Sequence, residues 1–281
     1  MPYIAEVSRR NPTCFVFLVD QSGSMAEPLA GAPGKTKAQG VADTINSLLY
    51  NLVIKTTTGT GLYNRYYVGV IGYGATTGPA LPAALAGRTL IPIGDLANNP
   101  MRLDESRQLV PGQNGGTVER VVKRPIWVEP TAGGKTPMCR ALGLAAEAVN
   151  GFLSLYPGCL PPTVFNITDG TASDGDPRGA ATTLRGLASS DGNVLLFNIH
   201  LSAVAGQPVV YPARLPMPCS ANTALLFEMS SPLPPPILAT ARNELPLDDG
   251  ARGFAFNADL ASFVRFLDIG TRADHRPRTG S

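Results

Sequence analysis

The segment from Asp20 to Ser24 carries three oxygen-bearing side chains at alternating positions. Asp20, Ser22 and Ser24 come directly after the apolar run Cys14–Val19. A loop that turns after a buried strand can aim all three side chains to one side. One carboxylate and two hydroxyls are hard oxygen donors, which suit Mg²⁺, Mn²⁺ or Ca²⁺. We therefore expect a divalent metal, Mg²⁺ first, with Asp20 as an exposed ligand.

Two further oxygen donors lie where the chain is expected to return to the same place. Asp169 follows the stretch Thr163–Thr168, and Thr136 follows the flexible stretch Ala132–Gly134. The carboxyl ends of parallel strands meet at one edge of a sheet, where doubly wound α/β proteins bind their ligands. Five donors should converge there: Asp20, Ser22, Ser24, Thr136 and Asp169. Thr131, just before the same glycines, remains a second candidate for the threonine ligand.

The hydrophobic pattern predicts the elements that must position these side chains. Continuous apolar runs predict buried strands, and apolar residues three or four apart predict amphipathic helices. Strands are predicted at 14–19, 65–74, 163–168, 193–201 and 253–256. Helices are predicted at 37–52, 136–152, 177–189, 221–229, 237–245 and 259–269. Their alternation predicts an α/β fold with a doubly wound, mostly parallel sheet flanked by helices.

Two insertions are expected to elaborate this fold. Residues 81–93 alternate weakly between apolar and polar residues, which predicts a hairpin-like addition. Residues 98–125 are polar, glycine-rich and too long for an ordinary connection, so we expect a functional or mobile loop. One domain is therefore predicted over residues 12–270, after an N-terminal extension of residues 1–11 and before a flexible tail of residues 271–281.

The composition argues against several classes of partner. The chain has 281 residues with 23 Lys and Arg against 21 Asp and Glu, and no basic cluster with interleaved aromatics marks a nucleic-acid surface. No apolar stretch reaches the roughly 18 residues of a membrane-spanning helix, and the first residues lack the apolar core of a signal peptide. The four cysteines form no Cys-x-x-Cys pair. These features predict a cytoplasmic protein that binds neither nucleic acid nor membrane.

Three short motifs together resemble the metal-ion-dependent adhesion site (MIDAS) of von Willebrand factor type A (vWA) domains. They are the D-x-S-x-S of Val19–Met25, the loop Gly133–Met138 and the stretch Ile167–Gly170, in the family's order. The resemblance covers nearly the whole predicted domain. It implies that the two serines bind the metal directly, that Thr136 joins in some states, and that the acids bind directly or through water. It also implies one metal position for the Asp or Glu of a protein partner, although Lys135 here separates Gly-Gly from the threonine.

The stretch Met229–Pro232 resembles bacterial vWA proteins of tellurium-resistance and phage-defence gene clusters. That resemblance implies a role in a bacterial stress or defence system. It also implies a protein kinase, a phosphatase or a AAA+ ATPase as the partner that supplies the acidic residue. We therefore expect a metal-dependent adhesion or assembly module and not an enzyme.

A P-loop-like nucleotide phosphohydrolase is the alternative function. Gly34-Lys35-Thr36 precedes a predicted helix, as the phosphate loop of such enzymes does. A complete loop reads Gly-x-x-x-x-Gly-Lys-Thr, and here Leu29 stands where the first glycine belongs. In the similar stretch Gly134-Lys135-Thr136, Glu129 stands in that place. The spacing therefore argues against a phosphate site.

A serine hydrolase is a second enzyme class to weigh. Ser22 or Ser24 would then need a histidine as general base. The chain has two, His200 and His275, and no Gly-x-Ser-x-Gly motif. We expect each histidine to be hydrogen-bonded or exposed to solvent, so the sequence gives catalysis little support.

Overall fold

The secondary structure alternates between strands and helices along most of the chain. The computed structural model describes residues 3–58, 61–62, 64–111, 117–202, 206–215 and 217–271. The strands within these ranges are β1 (Thr13–Asp20), β2 (Thr57–Thr58), β3 (Gly61–Leu62), β4 (Tyr66–Tyr73), β5 (Thr77–Pro79), β6 (Ile91–Pro92), β7 (Arg102–Pro111), β8 (Thr117–Ile126), β9 (Thr163–Thr168), β10 (Ala188–Ser189), β11 (Gly192–Asn193), β12 (Leu195–Leu201), β13 (Val209–Val210) and β14 (Phe254–Ala258). The α-helices are α1 (Lys37–Thr56), α2 (Ile93–Asn98), α3 (Met138–Leu155), α4 (Arg178–Gly186), α5 (Ala221–Met229), α6 (Pro235–Arg242) and α7 (Leu260–Gly270). Two 3-10 helices cover Gly23–Ala26 and Ala83–Leu85.

Eight strands form the main sheet, and its central strands run parallel. The order is β13-β14-β12-β9-β1-β4-β5, with β6 also paired to β4. The pairs among β14, β12, β9, β1 and β4 are parallel, whereas β5, β6 and β13 pair in the antiparallel sense. The chain moves outward from β1 on one side and returns to β9 on the other. The predicted doubly wound α/β fold is confirmed, and the strand order reverses between β1 and β9.

Strand β1 lies at the centre because helices cover both of its faces. All eight of its residues are buried, as expected of a parallel strand with an uninterrupted apolar run. Its odd-numbered residues, such as Phe17, pack in the core layer that contains α1 and α7. Its even-numbered residues, such as Leu18, pack in the layer that contains α3. This burial fixes the position of the end of β1 relative to the core.

The two insertions differ from their predicted forms. In place of a hairpin over 81–93, β5 and β6 pair separately with β4, and α2 follows. In place of a loop over 98–125, β7 and β8 form a two-stranded antiparallel ribbon. Leu103 and Val121 on this ribbon are about half exposed. Exposed positions such as these need no apolar alternation, which is why the pattern did not reveal the ribbon.

The segments flanking the domain are described in part. The amides of Ile4 and Ala5 donate hydrogen bonds to the carboxylate of Asp191, so this part of the extension packs on the domain. Residues 272–281 of the predicted tail lie outside the described residues. Within the described ranges, no helix has both the length and the apolar character needed to span a membrane.

Candidate metal centre

Asp20 ends β1 with a fully buried carboxylate. Its Oδ1 accepts a hydrogen bond from the Ser22 amide at 2.8 Å, and its Oδ2 accepts one from the Thr168 hydroxyl at 2.6 Å. Burial raises the pKa of Asp20, while the hydrogen bonds from Thr168 and Ser22 act in the lowering direction. The expectation that the Asp20 carboxylate is exposed was wrong. The carboxylate lies beneath the loop and holds its backbone in place.

Three of the predicted donors form a continuous chain of oxygens. The Ser22 and Ser24 hydroxyl oxygens are 3.1 Å apart, and the Ser24 hydroxyl donates to Asp169 Oδ1 at 2.7 Å. Neighbouring ligands of an octahedral Mg²⁺, at about 2.1 Å from the metal, are about 3 Å apart. The spacing of these oxygens matches the edges of such an octahedron.

Thr136 lies near Gly170, the residue that follows Asp169. It is buried, and a methyl group built on Gly170 would lie 3.8 Å from its hydroxyl oxygen. Its amide donates to the Ser173 hydroxyl and its carbonyl accepts from the Ser173 amide, which fixes the loop. Within the described ranges, the Thr136 hydroxyl has no hydrogen-bond partner. Thr131, the other candidate, is exposed and donates to the Glu129 carbonyl.

Glycines let the Thr136 loop approach the Asp20 loop closely. The Gly133 amide donates to the Gln21 carbonyl at 2.7 Å, and the Gly23 amide donates to the Gly134 carbonyl at 3.2 Å. Gly134 has a φ of +83°, and a Cβ there would collide with the backbone of Ala75. The left-handed conformation and the lack of space both require glycine at position 134. Gly134 is therefore required for the close approach of the two loops.

Lys37 is a site residue that the sequence analysis did not identify. Its ammonium donates to Asp169 Oδ2 at 2.6 Å and to Glu27 Oε2 at 2.8 Å. Both oxygens of the Asp169 carboxylate are thus bound, one by Ser24 and one by Lys37. A lysine at the first position of a helix opposes the helix dipole. That unfavourable placement was the signal that an acidic partner lies nearby.

A buried polar chain supports the strand ends below the site. The Tyr73 hydroxyl donates to Asn166 Oδ1 at 2.6 Å, and Asn166 Nδ2 donates to Asn198 Oδ1 at 2.9 Å. Asn198 Nδ2 in turn donates to the Ser230 hydroxyl at 3.0 Å. These residues tie β4, β9 and β12 together with satisfied hydrogen bonds, which makes the arrangement specific. Burial raises the pKa of Tyr73 far above its usual value, so the phenol stays a donor.

The lysine of the P-loop-like stretch lies on the surface. Lys35 forms an ion pair with Asp43 at 2.5 Å, and both side chains are about half exposed. Thr36 caps α1, since its hydroxyl accepts from the Gln39 amide while the Gln39 side chain accepts from the Thr36 amide. This stretch begins a helix with a capping box. Its contacts give the phosphate-binding alternative no support.

His200 is the described histidine of the serine-hydrolase alternative. It lies on β12 beside Thr168 of the neighbouring strand β9. Its ring packs on that of Phe256, with ring centroids 5.4 Å apart. Its Nδ1 is buried without a hydrogen-bond partner in the part of the chain that the structure describes, and burial lowers its pKa. The expected hydrogen bond is therefore not found at Nδ1 of His200, and the residue as a whole is partly exposed. His275 lies outside the described residues.

The donors at this edge of the sheet fit a hard divalent cation. Two carboxylates and one ammonium are buried there, which leaves one negative charge uncompensated. Hydroxyl oxygens would supply most of the remaining ligands, as Mg²⁺ accepts. No group of three or more His, Cys, Asp or Glu with metal-binding geometry occurs in the described ranges. A metal here would therefore depend on Ser22, Ser24 and Thr136.

Comparisons with known proteins find similarity to solved structures of low sequence identity. No family model matches the chain, and no curated protein matches it. The vWF domain of the type V pili tip protein Mfa5 from Porphyromonas gingivalis is 12% identical with a TM-score of 0.33, over 59% of this chain and 40% of that one. The ArnB paralog VWA2 from Sulfolobus acidocaldarius is 12% identical with a TM-score of 0.33, over 68% of this chain and 35% of that one. The pilus adhesin RrgA from Streptococcus pneumoniae is 14% identical with a TM-score of 0.31, over 58% of this chain and 21% of that one.

The chain spans well under half the length of each of these solved proteins. At such identity and TM-score, their ligands and partners carry no argument about this chain. The fold assigned above rests on the strand order and pairing of the chain itself. By that order, the chain has a doubly wound α/β fold with its polar cluster at the point where the strand order reverses.

Proposed function

We propose that the chain is a metal-dependent protein-binding module. It holds Mg²⁺ at a MIDAS formed by Asp20, Ser22, Ser24, Thr136 and Asp169, and it binds an Asp or Glu carboxylate of a protein partner. The observation that carries the proposal is the chain of oxygens from Ser22 through Ser24 to Asp169, spaced 2.7 to 3.1 Å apart. The Thr136 hydroxyl, which has no hydrogen-bond partner among the described residues, lies near Gly170 at the edge where such folds bind ligands.

Each site residue has a distinct part in this proposal. The hydroxyls of Ser22, Ser24 and Thr136 and the Asp169 carboxylate supply oxygens to the cation. Asp20 contributes charge and holds the Ser22 amide and the Thr168 hydroxyl in position. A bound Mg²⁺ attracts a carboxylate oxygen and binds it as a further ligand. The partner must therefore present an acidic side chain on its surface.

The proposal describes binding and not catalysis. The Ser22 and Ser24 hydroxyls bond to one another, and Ser24 also donates to Asp169, an arrangement suited to ligation rather than nucleophilic attack. A kinase, a phosphatase or a AAA+ ATPase of a bacterial stress or defence system, as the family resemblance implies, would serve as partner if it offers an exposed Asp or Glu.

Magnesium dependence tests this function directly. We expect calorimetry to detect Mg²⁺ binding to the full chain, and affinity capture to retain protein partners in Mg²⁺ and lose them in EDTA. Mass spectrometry of the two eluates identifies the partners. A folded chain that binds no Mg²⁺ at millimolar concentration contradicts the proposal, and turnover of ATP by the purified chain favours the phosphohydrolase.

Thr136→Ala is expected to weaken partner binding by about 5 to 150-fold, the scale of a typical coupling between two sites. It should change Mg²⁺ affinity less, because the other donors remain. Stability should fall by less than about 1 kcal/mol, since the hydroxyl makes no hydrogen bond within the described ranges. Mg²⁺-dependent partner affinity and the melting temperature are the measurements. Thr131→Ala is the control and should change neither; a loss of partner binding in that variant would instead make Thr131 the ligand.

Lys35→Ala is expected to leave Mg²⁺ affinity and partner retention unchanged. The exposed pair that it forms with Asp43 contributes at most about 1 kcal/mol to stability. Calorimetric titration with Mg²⁺ and with ATP decides the matter. A tenfold loss of ATP binding in this variant would support the phosphate-binding alternative.

A further inference from the structure

We infer that Lys37 is a built-in counter-cation of the metal centre, which competes with the divalent cation for Asp169 and limits how tightly that cation binds. The inference rests on the proposed function and deepens it, because it names what regulates the same site. The contacts that carry it join three charged side chains: Lys37, Asp169 and Glu27.

The ammonium of Lys37 is enclosed within the site. The Lys37 side chain is 4% exposed and the Asp169 side chain 1% exposed, with 2.6 Å between Nζ and Oδ2. A cation that took Oδ1 of the same carboxylate would come within a few ångströms of the ammonium. Repulsion between two positive charges is strong where water is excluded. The ammonium and the divalent cation therefore oppose one another at Asp169.

Glu27 offers the ammonium a second position. Its carboxylate lies 2.8 Å from Nζ, and its side chain is 56% exposed. The Lys37 amide also donates to the Glu27 carbonyl at 2.9 Å, so the two residues stay adjacent. When a divalent cation binds Asp169, the Lys37 ammonium can release Oδ2 and remain paired with Glu27. This exchange avoids leaving a buried ammonium without a partner.

The counter-cation also explains how the site keeps its shape without metal. Asp20 and Asp169 are both buried, and two adjacent carboxylates without a positive charge would repel one another. Lys37 neutralises one of them and holds it in the orientation that Ser24 requires. The donors are thus preorganised, and the divalent cation binds reversibly to a site that does not depend on it for folding.

Lys37→Met tests the inference, because methionine keeps much of the side-chain volume and removes the charge. We expect calorimetry to show Mg²⁺ binding at least tenfold tighter than in the parent chain. In EDTA the variant should melt at a lower temperature than the parent, and Mg²⁺ should raise its melting temperature more. Lys35→Met is the matched control, since it removes the same charge two residues away, and it should change Mg²⁺ affinity less than twofold.

Glu27→Gln is the second variant, and its exposed position makes loss of folding no concern. It removes the second position of the ammonium, so Mg²⁺ should bind at least threefold more weakly. Asp43→Asn removes an equal charge from the surface and should leave the affinity unchanged. This pair decides the inference if Lys37→Met does not fold: weaker binding in Glu27→Gln alone supports it, and unchanged binding overturns it.

The outcomes also separate the inference from the proposed function. If the parent binds Mg²⁺ and a folded Lys37→Met binds it no more tightly, the counter-cation role of Lys37 is overturned and the metal centre stands. If neither the folded parent nor the folded Lys37→Met variant binds Mg²⁺, the metal centre itself is overturned, and the inference with it.

Discussion

Asp20→Asn is expected to lower the Mg²⁺ affinity of the chain by at least about a hundredfold, or about 2.7 kcal/mol, while the chain stays folded. The carboxylate charge at the end of β1 attracts the cation, and asparagine lacks it. Asparagine keeps the volume and one acceptor for the Ser22 amide, and the Thr168 hydroxyl can turn to accept from its amide group. Calorimetric titration with Mg²⁺ measures the change. An affinity equal to that of the parent would remove Asp20 from the site.

The direction in which Asp20→Asn changes the free energy of unfolding also follows from the structure. Burial raises the pKa of Asp20 in the folded chain above its unfolded value, so the folded state disfavours the charged form. That penalty grows as the pH rises from 3.8 towards the raised pKa, and it is fully present above that pKa. In EDTA at pH 7, Asp20→Asn should therefore be at least as stable as the parent in urea unfolding.

Asp20→Ala is the contrasting variant. It leaves the buried Ser22 amide without its acceptor, which costs about 1 to 3 kcal/mol, whereas the Thr168 hydroxyl keeps the Gly170 carbonyl at 3.3 Å. We expect it to lose stability as well as metal binding. The difference between the two variants separates the structural part of Asp20 from its charge.

Gly134→Ala is expected to lower the free energy of unfolding by about 2 to 5 kcal/mol. The left-handed conformation at φ +83° costs an alanine about 1 to 2 kcal/mol, and the collision of its Cβ with Ala75 adds about 1 to 3 kcal/mol. Urea unfolding of the variant and the parent, each in EDTA, measures the loss.

Gly133→Ala is the matched control for that variant. A Cβ at position 133 meets nothing within 4 Å, so the change in the free energy of unfolding should stay within about 0.5 kcal/mol.

Gly134→Ala should also weaken Mg²⁺ binding, because the shifted loop carries Thr136. Equal stability of the two glycine variants would show that Gly134 is not in close contact with the backbone of Ala75.

The sequence by itself determined the elements and the order of the donors. The apolar run before Asp20 and the strand before Asp169 were predicted within a residue or two, because a buried parallel strand needs apolar side chains on both faces. The helix after Thr136 was predicted to begin two residues before its observed start at Met138. The hydrophobic periodicity of a segment is a local property, so it can be recognised without knowledge of distant contacts.

The tertiary structure alone decided how the donors are held. Lys37 meets Asp169 across 132 positions of the chain, and Ser24 meets it across 145. The burial of Asp20 under its own loop and the exposure of Leu103 and Val121 on β7 and β8 likewise depend on what packs around them. Charge pairing and burial are set by neighbours in space, and no local pattern of residue types encodes which distant residue will be that neighbour.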